Sequence, residues 1–212
     1  FSTEDKTNED TQYIFGIKDP FFNSDRTTYY HNYTTSLELE ISNLFDADSY
    51  VITEDGEVFE GGTSIGYWDD LLALLRAKDG WIKPLSIPKE RILTRPAILG
   101  GIVFAPSFVP NDDICGFGGD SYLYGLYYET GTAYYKSVFD YGTITVEIEG
   151  QEMKQVLDKT ALGFGMASSL GIHVGMEEGA TGFVQQSTGN ILIEGLSPAF
   201  NIKSGLRSWR EK

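Results

Sequence analysis

The chain has 212 residues, 41% of them hydrophobic, enough to bury one sizeable core or two small ones. Its 31 acidic and 16 basic residues leave a net charge of −15, which excludes the electrostatic footprint of a nucleic-acid binder and disfavours anionic lipid surfaces. No apolar run reaches the length of a membrane-spanning helix.

Glycines and aromatics recur around short apolar runs, with 24 Gly, 13 Tyr, 13 Phe and 3 Trp, and this pattern predicts an all-β fold. Residues 1–12 are polar and lack an initiator Met or a leader, as expected of a processed or excised piece. The run YIFGIKDPFF follows as a strand stopped at Asp19-Pro20. Residues 23–35 are polar and read as a surface loop, where Tyr29, Tyr30 and Tyr33 are candidate anchors for a protein or glycan partner. Residues 37–45 alternate, with Leu37, Leu39 and Ile41 on one side and Glu38 and Glu40 on the other, predicting a half-buried strand. Residues 50–62 read as a hairpin turning at Glu54-Asp55-Gly56.

Residues 68–81 break the β pattern. Leu71, Leu74 and Leu75 recur at helical spacing, with Asp69 and Asp70 near the start and Gly80 after the end. They predict one short amphipathic helix near 68–77 whose leucines pack into the core. Residues 97–109 read as a buried strand, and residues 110–120 as a glycine-rich loop. SYLYGLYYETGTAYYKSVF reads as a hairpin around Glu129-Thr130-Gly131, with Tyr122 and Tyr124 packing on one strand face. Residues 143–150 alternate as a strand, and the Gly-rich last third turns at Ser187-Thr188-Gly189. Gly56, Gly131 and Gly189 thus close three similar units, 75 and 58 residues apart. That spacing is too long and irregular to establish propeller blades of about 40–50 residues.

The chemistry-bearing residues are sparse. Cys115 is the only cysteine, so no intrachain disulfide forms, and Asp112 and Asp113 beside it oppose an activated thiolate. His31 and His173 are the only histidines, too few with one Cys for a closed zinc site. Ser168 and Ser169 near His173 lack a nucleophile-elbow pattern. Asp112-Asp113 and Glu177-Glu178 are neighbours in sequence, which on extended chain point apart and make no acid/base dyad. The glycines of GFGGD lack the phosphate-loop Lys.

Three segments together resemble the C-terminal β-propeller of PilY-family type IV pilus biogenesis proteins. In the first, Asp5, Gln12, Phe15, Gly16, Ile17 and Asp19 fall on the family's polar loop followed by Gln-x-hydrophobic-aromatic-Gly-Ile-x-Asp. In the second, Gly80, Trp81, Glu90, Arg91, Pro96, Gly101, Phe104, Pro110, Cys115, Gly118, Gly119, Leu123 and Gly131 match in order, including a Gly turn after the Pro-led strand. The third is LGIHVG, the Gln185-x-Ser187-Thr188-Gly189 turn and a tail holding Ser204, Ser208, Trp209, Arg210 and Glu211.

The resemblance implies antiparallel hairpins forming part of a propeller-like architecture, read as a single domain over 1–212. It also implies an extracytoplasmic, non-catalytic module at the periplasm, outer membrane or pilus tip that contacts minor pilins or the rest of its parent chain. No cofactor is expected. Some relatives carry a calcium loop, but Asp46-Ala47-Asp48 and Glu54-Asp55-Gly56 both lack the full alternating ligand run. Two alternatives stay open: a fragment of a quinoprotein-like propeller enzyme, since SYLYGLYYETG resembles the blade signature of that class, or a purely structural domain.

Overall fold

The computed structural model describes residues 7–19, 39–111, 118–175, 179–200 and 202. Tyr29, Tyr30, Tyr33, His31, Cys115, the Asp112-Asp113 and Glu177-Glu178 pairs and the 203–212 tail lie outside them. The described residues form small, mostly antiparallel sheets and one α-helix. In chain order the elements are β1 (Tyr13–Ile17), β2 (Phe45–Asp46), β3 (Tyr50–Ile52), β4 (Glu57–Glu60), β5 (Thr63–Tyr67), α1 (Trp68–Arg76), β6 (Gly80–Pro84), β7 (Ala97–Leu99) and β8 (Ile102–Pro110). There follow β9 (Gly119–Tyr127), β10 (Thr143–Ile148), β11 (Gln151–Val156), β12 (Lys159–Phe164), β13 (Gly171–Val174), β14 (Ala180–Gln185) and β15 (Ile191–Leu196). The sheets are ordered β1-β6-β2, β3-β4-β5, β12-β9-β8-β7, β10-β11 and β13-β14-β15. Among the described residues only the two-residue pairing of β2 with β6 is parallel.

The four-stranded sheet is the centre. Strands β8 and β9 pair along nine residues, from Ile102↔Tyr127 to Pro110↔Gly119. Ile102, Phe104, Ala105, Leu123 and Leu126 are fully buried there. Strand β8 is covered on both faces, which explains its nearly continuous apolar sequence. Residues 97–109 are not one strand, however. Gly100 and Gly101, at φ 51° and 83°, make a two-residue turn between β7 and β8.

The hairpins at Gly56 and Gly189 form as the sequence predicts, each Gly at positive φ. The unit at Gly131 does not. The turn closes, with the amides of Thr130 and Gly131 donating to the Tyr127 carbonyl, but residues 132–139 make no returning strand. Strand β9 already has β8 on one side and β12 on the other, so no edge is left to pair. The would-be second arm instead fills space: Ala133, Val138 and Phe139 are buried, and Tyr134 and Tyr135 pack around Trp68.

Of the strand expected over 37–45, only Phe45 is in a strand among the described residues. Leu39 and Ile41 are exposed, and Ile41–Asn43 is a 3₁₀ turn closed by the Leu44 amide on the Ile41 carbonyl. Alternation stabilises a strand only where a neighbouring strand accepts its backbone, and here the first such neighbour is β6 at Phe45. Helix α1 falls where predicted. Trp68, Leu71 and Leu75 face the core, whereas Leu74 sits on the flank, 49% exposed, so the buried stripe is narrower than the leucine spacing implies.

Candidate functional site

Two concave features lie beside β6, which carries Trp81 on one face and Lys83 further along. The first is a groove of about 300 Å³ between β1 and α1, lined by Ile17, Leu72, Leu75, Arg76, Trp81 and Tyr128. Its wall is fixed by Lys18, whose Nζ donates to the carbonyls of Leu75 (2.5 Å), Lys78 (2.6 Å) and Arg76 (3.4 Å). The Leu75 and Arg76 carbonyls end α1 and carry the negative pole of the helix, so a lysine there both caps and neutralises it.

The groove floor is Trp81, and glycines frame it. Its indole Nε1 donates to the Tyr128 carbonyl at 2.8 Å. A Cβ at Gly16 would stand 2.1 Å from the ring, and one at Gly131 would stand 2.3 Å from it. Gly131 also needs its φ of +69°. Three residues far apart in sequence therefore form one packing unit.

The second feature is a polar cavity of about 180 Å³ lined by Asp48, Lys83, Tyr124, Asp158 and Lys159. Lys83 Nζ lies 2.6 Å from both Asp48 Oδ1 and Asp158 Oδ2, with its side chain only 8% exposed. It ties β6 to the turn after β2 and to the corner between β11 and β12. Next to it, Glu90 is buried and accepts from Ser107 Oγ at 2.6 Å and Tyr124 Oη at 3.1 Å. Lys159 Nζ stands 3.7 Å from Glu90, donates to Tyr124 Oη at 3.1 Å, and lies over the rings of Tyr122 and Tyr124. Burial alone would lower the Lys83 pKa, but the Asp158 and Asp48 carboxylates outweigh it and hold the ammonium above its ordinary value. Burial, then Glu90, pushes the Tyr124 phenol upward. Burial and the Glu60 hydrogen bond push Tyr50, on the cavity rim, to about 12.

These shifts share a sign. Each group binds its proton more tightly folded than unfolded, so its contribution is fully present below the unfolded pKa of about 10 and is lost as pH rises through the folded value. The urea midpoint is therefore expected to be flat from about pH 7 to 9.5 and to fall above about 10. Tyr124→Phe is expected to soften that fall. A midpoint unchanged at pH 11.5 would contradict the assignment.

Other residues singled out by sequence are placed in local roles. Asp46 accepts from the Asp48 amide and from Ser49 Oγ, and Asp48 pairs with Lys83. Glu54 pairs with Lys154 at 3.7 Å. His173 is exposed on β13, opposite Thr181. Ser168 Oγ donates to the Ser169 carbonyl and accepts from the Gln185 amide. Among the described residues no group of three His, Cys, Asp or Glu could hold a metal ion. Sequence reasoning missed Lys83, Asp158 and Lys159, which carry no motif and meet only through the sheet packing.

No protein-family model matches the chain, and no curated protein matches it. Among solved structures, the fold is similar to the C-terminal domain of PilY1 from Pseudomonas aeruginosa, with a TM-score of 0.57 and 15% sequence identity. The matched region covers 94% of this chain and 40% of that one. At this identity the likeness is one of fold: the chain is an all-β, propeller-like assembly of mostly antiparallel sheets, with a short helix at Trp68–Arg76. No helix among the described residues is long and apolar enough to cross a membrane.

Proposed function

We propose that this chain is a non-catalytic, extracytoplasmic module of a type IV pilus assembly or adhesion protein, and that it acts by binding pilus components such as minor pilins. One observation carries the reading. Gly16, Trp81 and Gly131, three of the residues on which the sequence resemblance rests, meet in the structure as one framed packing unit, within a fold similar to the PilY1 C-terminal domain. A chance match in sequence has no reason to converge in space. The reading needs no cofactor and no catalytic residue, and it assigns function to the surface.

The test is capture of purified, soluble minor-pilin domains by the folded, tagged chain. Saturable binding of at least one is the expected result. Absence of binding by every pilus component, from a sample with intact near-ultraviolet circular dichroism, would reject the assembly role.

A further inference from the structure

Strand β1 is the outer strand of its sheet, and among the described residues nothing pairs with its far side. The phase of its pairing is fixed at both ends: the Leu85 amide donates to the Gln12 carbonyl, and the Lys18 amide donates to the Asp79 carbonyl. Even-numbered residues therefore turn their peptide groups toward β6. Tyr13, Phe15 and Ile17 turn theirs outward, and Pro84, which has no amide to give, sits opposite Tyr13. The same three residues are 48%, 48% and 47% exposed. Unpaired backbone and exposed apolar side chains thus coincide on one row. None of the devices that protect an edge strand, such as an inserted Lys, Pro or bulge, interrupts it.

The row runs into the groove beside α1, where Ile17 and Arg76 both line the wall. The Arg76 guanidinium has no ion-pair partner among the described residues, although the chain carries a net charge of −15. Arg76 is thus an unpaired cation in the groove wall, whereas Glu129 in the same wall is engaged by the Tyr128 hydroxyl, and the groove complements an apolar segment ending at a carboxylate. A second copy fits poorly. Antiparallel self-pairing centred on Phe15 would bring each Asp19 beside Asp10 and Thr11 of the other copy, setting like charges together.

We propose that β1 is a docking edge that accepts an extended segment of a partner protein, with apolar residues at alternate positions and a carboxylate that meets Arg76. This deepens the binding-module reading above and rests on it for the partner's identity. The partner's backbone supplies the missing ladder to Tyr13, Phe15 and Ile17, its apolar residues cover their side chains, and the terminal contact sets direction.

The probe is a fluorescent peptide that alternates threonine with valine and ends in aspartate with a free carboxylate. Saturable binding is expected, with slowed amide exchange at Tyr13, Phe15 and Ile17. Phe15→Lys is expected to weaken it by at least about tenfold. Arg76→Gln is expected to weaken the free-carboxylate peptide and leave its valine-terminated, amidated counterpart unchanged. The exchange measurement on the unaltered chain stands even where Phe15→Lys misfolds. Failure to bind, or binding without added protection at those three amides, overturns the proposal. So does a dimer abolished by Phe15→Lys, which would assign the edge to a second copy. Minor-pilin capture that survives Phe15→Lys in a folded variant keeps the module reading and rejects β1. Peptide binding at β1 without pilin capture keeps the edge and rejects the pilus reading.

Discussion

Trp81→Ala is expected to lower the unfolding free energy by about 4 kcal/mol, a large share of the ~5–15 kcal/mol that holds a typical domain. The indole is buried at 3% exposure, and its loss removes ring contacts with β1 and with the turn at Gly131. It also strands the Tyr128 carbonyl that Nε1 satisfies. Gly131→Ala attacks the same unit from the other side. It places a side chain at φ +69°, costing about 1–3 kcal/mol, and drives a Cβ toward the ring, costing about as much again. The two changes are not expected to add. With the indole gone the clash disappears, so Gly131→Ala in the Trp81→Ala background keeps only the backbone cost. Urea denaturation of the four proteins of this cycle measures the coupling. Simple additivity would mean that the glycines do not frame the tryptophan.

The second large effect is at Glu90. Its carboxylate is fully buried, accepts from Ser107 and Tyr124, and faces Lys159. Glu90→Ala leaves two hydroxyls, the Ile87 amide and a partly buried ammonium without their acceptor, and is expected to cost about 3–5 kcal/mol. Glu90→Gln keeps one acceptor oxygen for the hydroxyls but not the charge, and is expected to fall between. Combining Glu90→Leu with Ser107→Ala and Tyr124→Phe removes the two stranded hydroxyls, though not the Lys159 ammonium, and is expected to recover part of the loss. Denaturant midpoints at pH 7 decide the order of these variants. A Glu90→Ala midpoint equal to that of the unaltered chain would show that the cluster contributes nothing to stability.

Both predictions concern residues visible in the sequence as part of an ordered pattern, but what the pattern encodes emerges only in three dimensions. Gly16, Trp81 and Gly131 are spread over more than a hundred positions, and no local rule pairs them. Their spacing records an architecture, the indole packed between two glycines. Local signals were legible where the chain decides locally. The helix at Trp68–Arg76 shows its apolar spacing and acidic first turn, and the hairpins at Gly56 and Gly189 show their turns.

Local signals misled where tertiary pairing decides. Residues 132–139 carry the aromatics of a strand but follow β9, whose two sides are already paired with β8 and β12. Residues 39–43 alternate without a neighbour to pair with. The ribbon β10-β11 was half legible, since Thr143–Ile148 alternates clearly. Its partner Gln151–Val156 is polar, and its turn at Glu149-Gly150, both at positive φ, is short. The candidate site was less legible still. Lys18 reads as an ordinary surface lysine until α1 packs against β1 and presents its last carbonyls. The candidate anchor tyrosines of the sequence, Tyr29, Tyr30 and Tyr33, lie outside the described residues, whereas the apolar row on β1 reads in sequence simply as a strand.

The central claim, that this propeller-like chain is a binding module whose surface meets a pilus component, is tested most directly by hydrogen exchange. The folded chain would be measured with and without a purified minor-pilin domain. Protection is expected along β1, from Tyr13 to Ile17, and at the groove residues Leu72, Leu75 and Arg76. Exchange unchanged by every minor pilin, in a chain that remains folded, would contradict it.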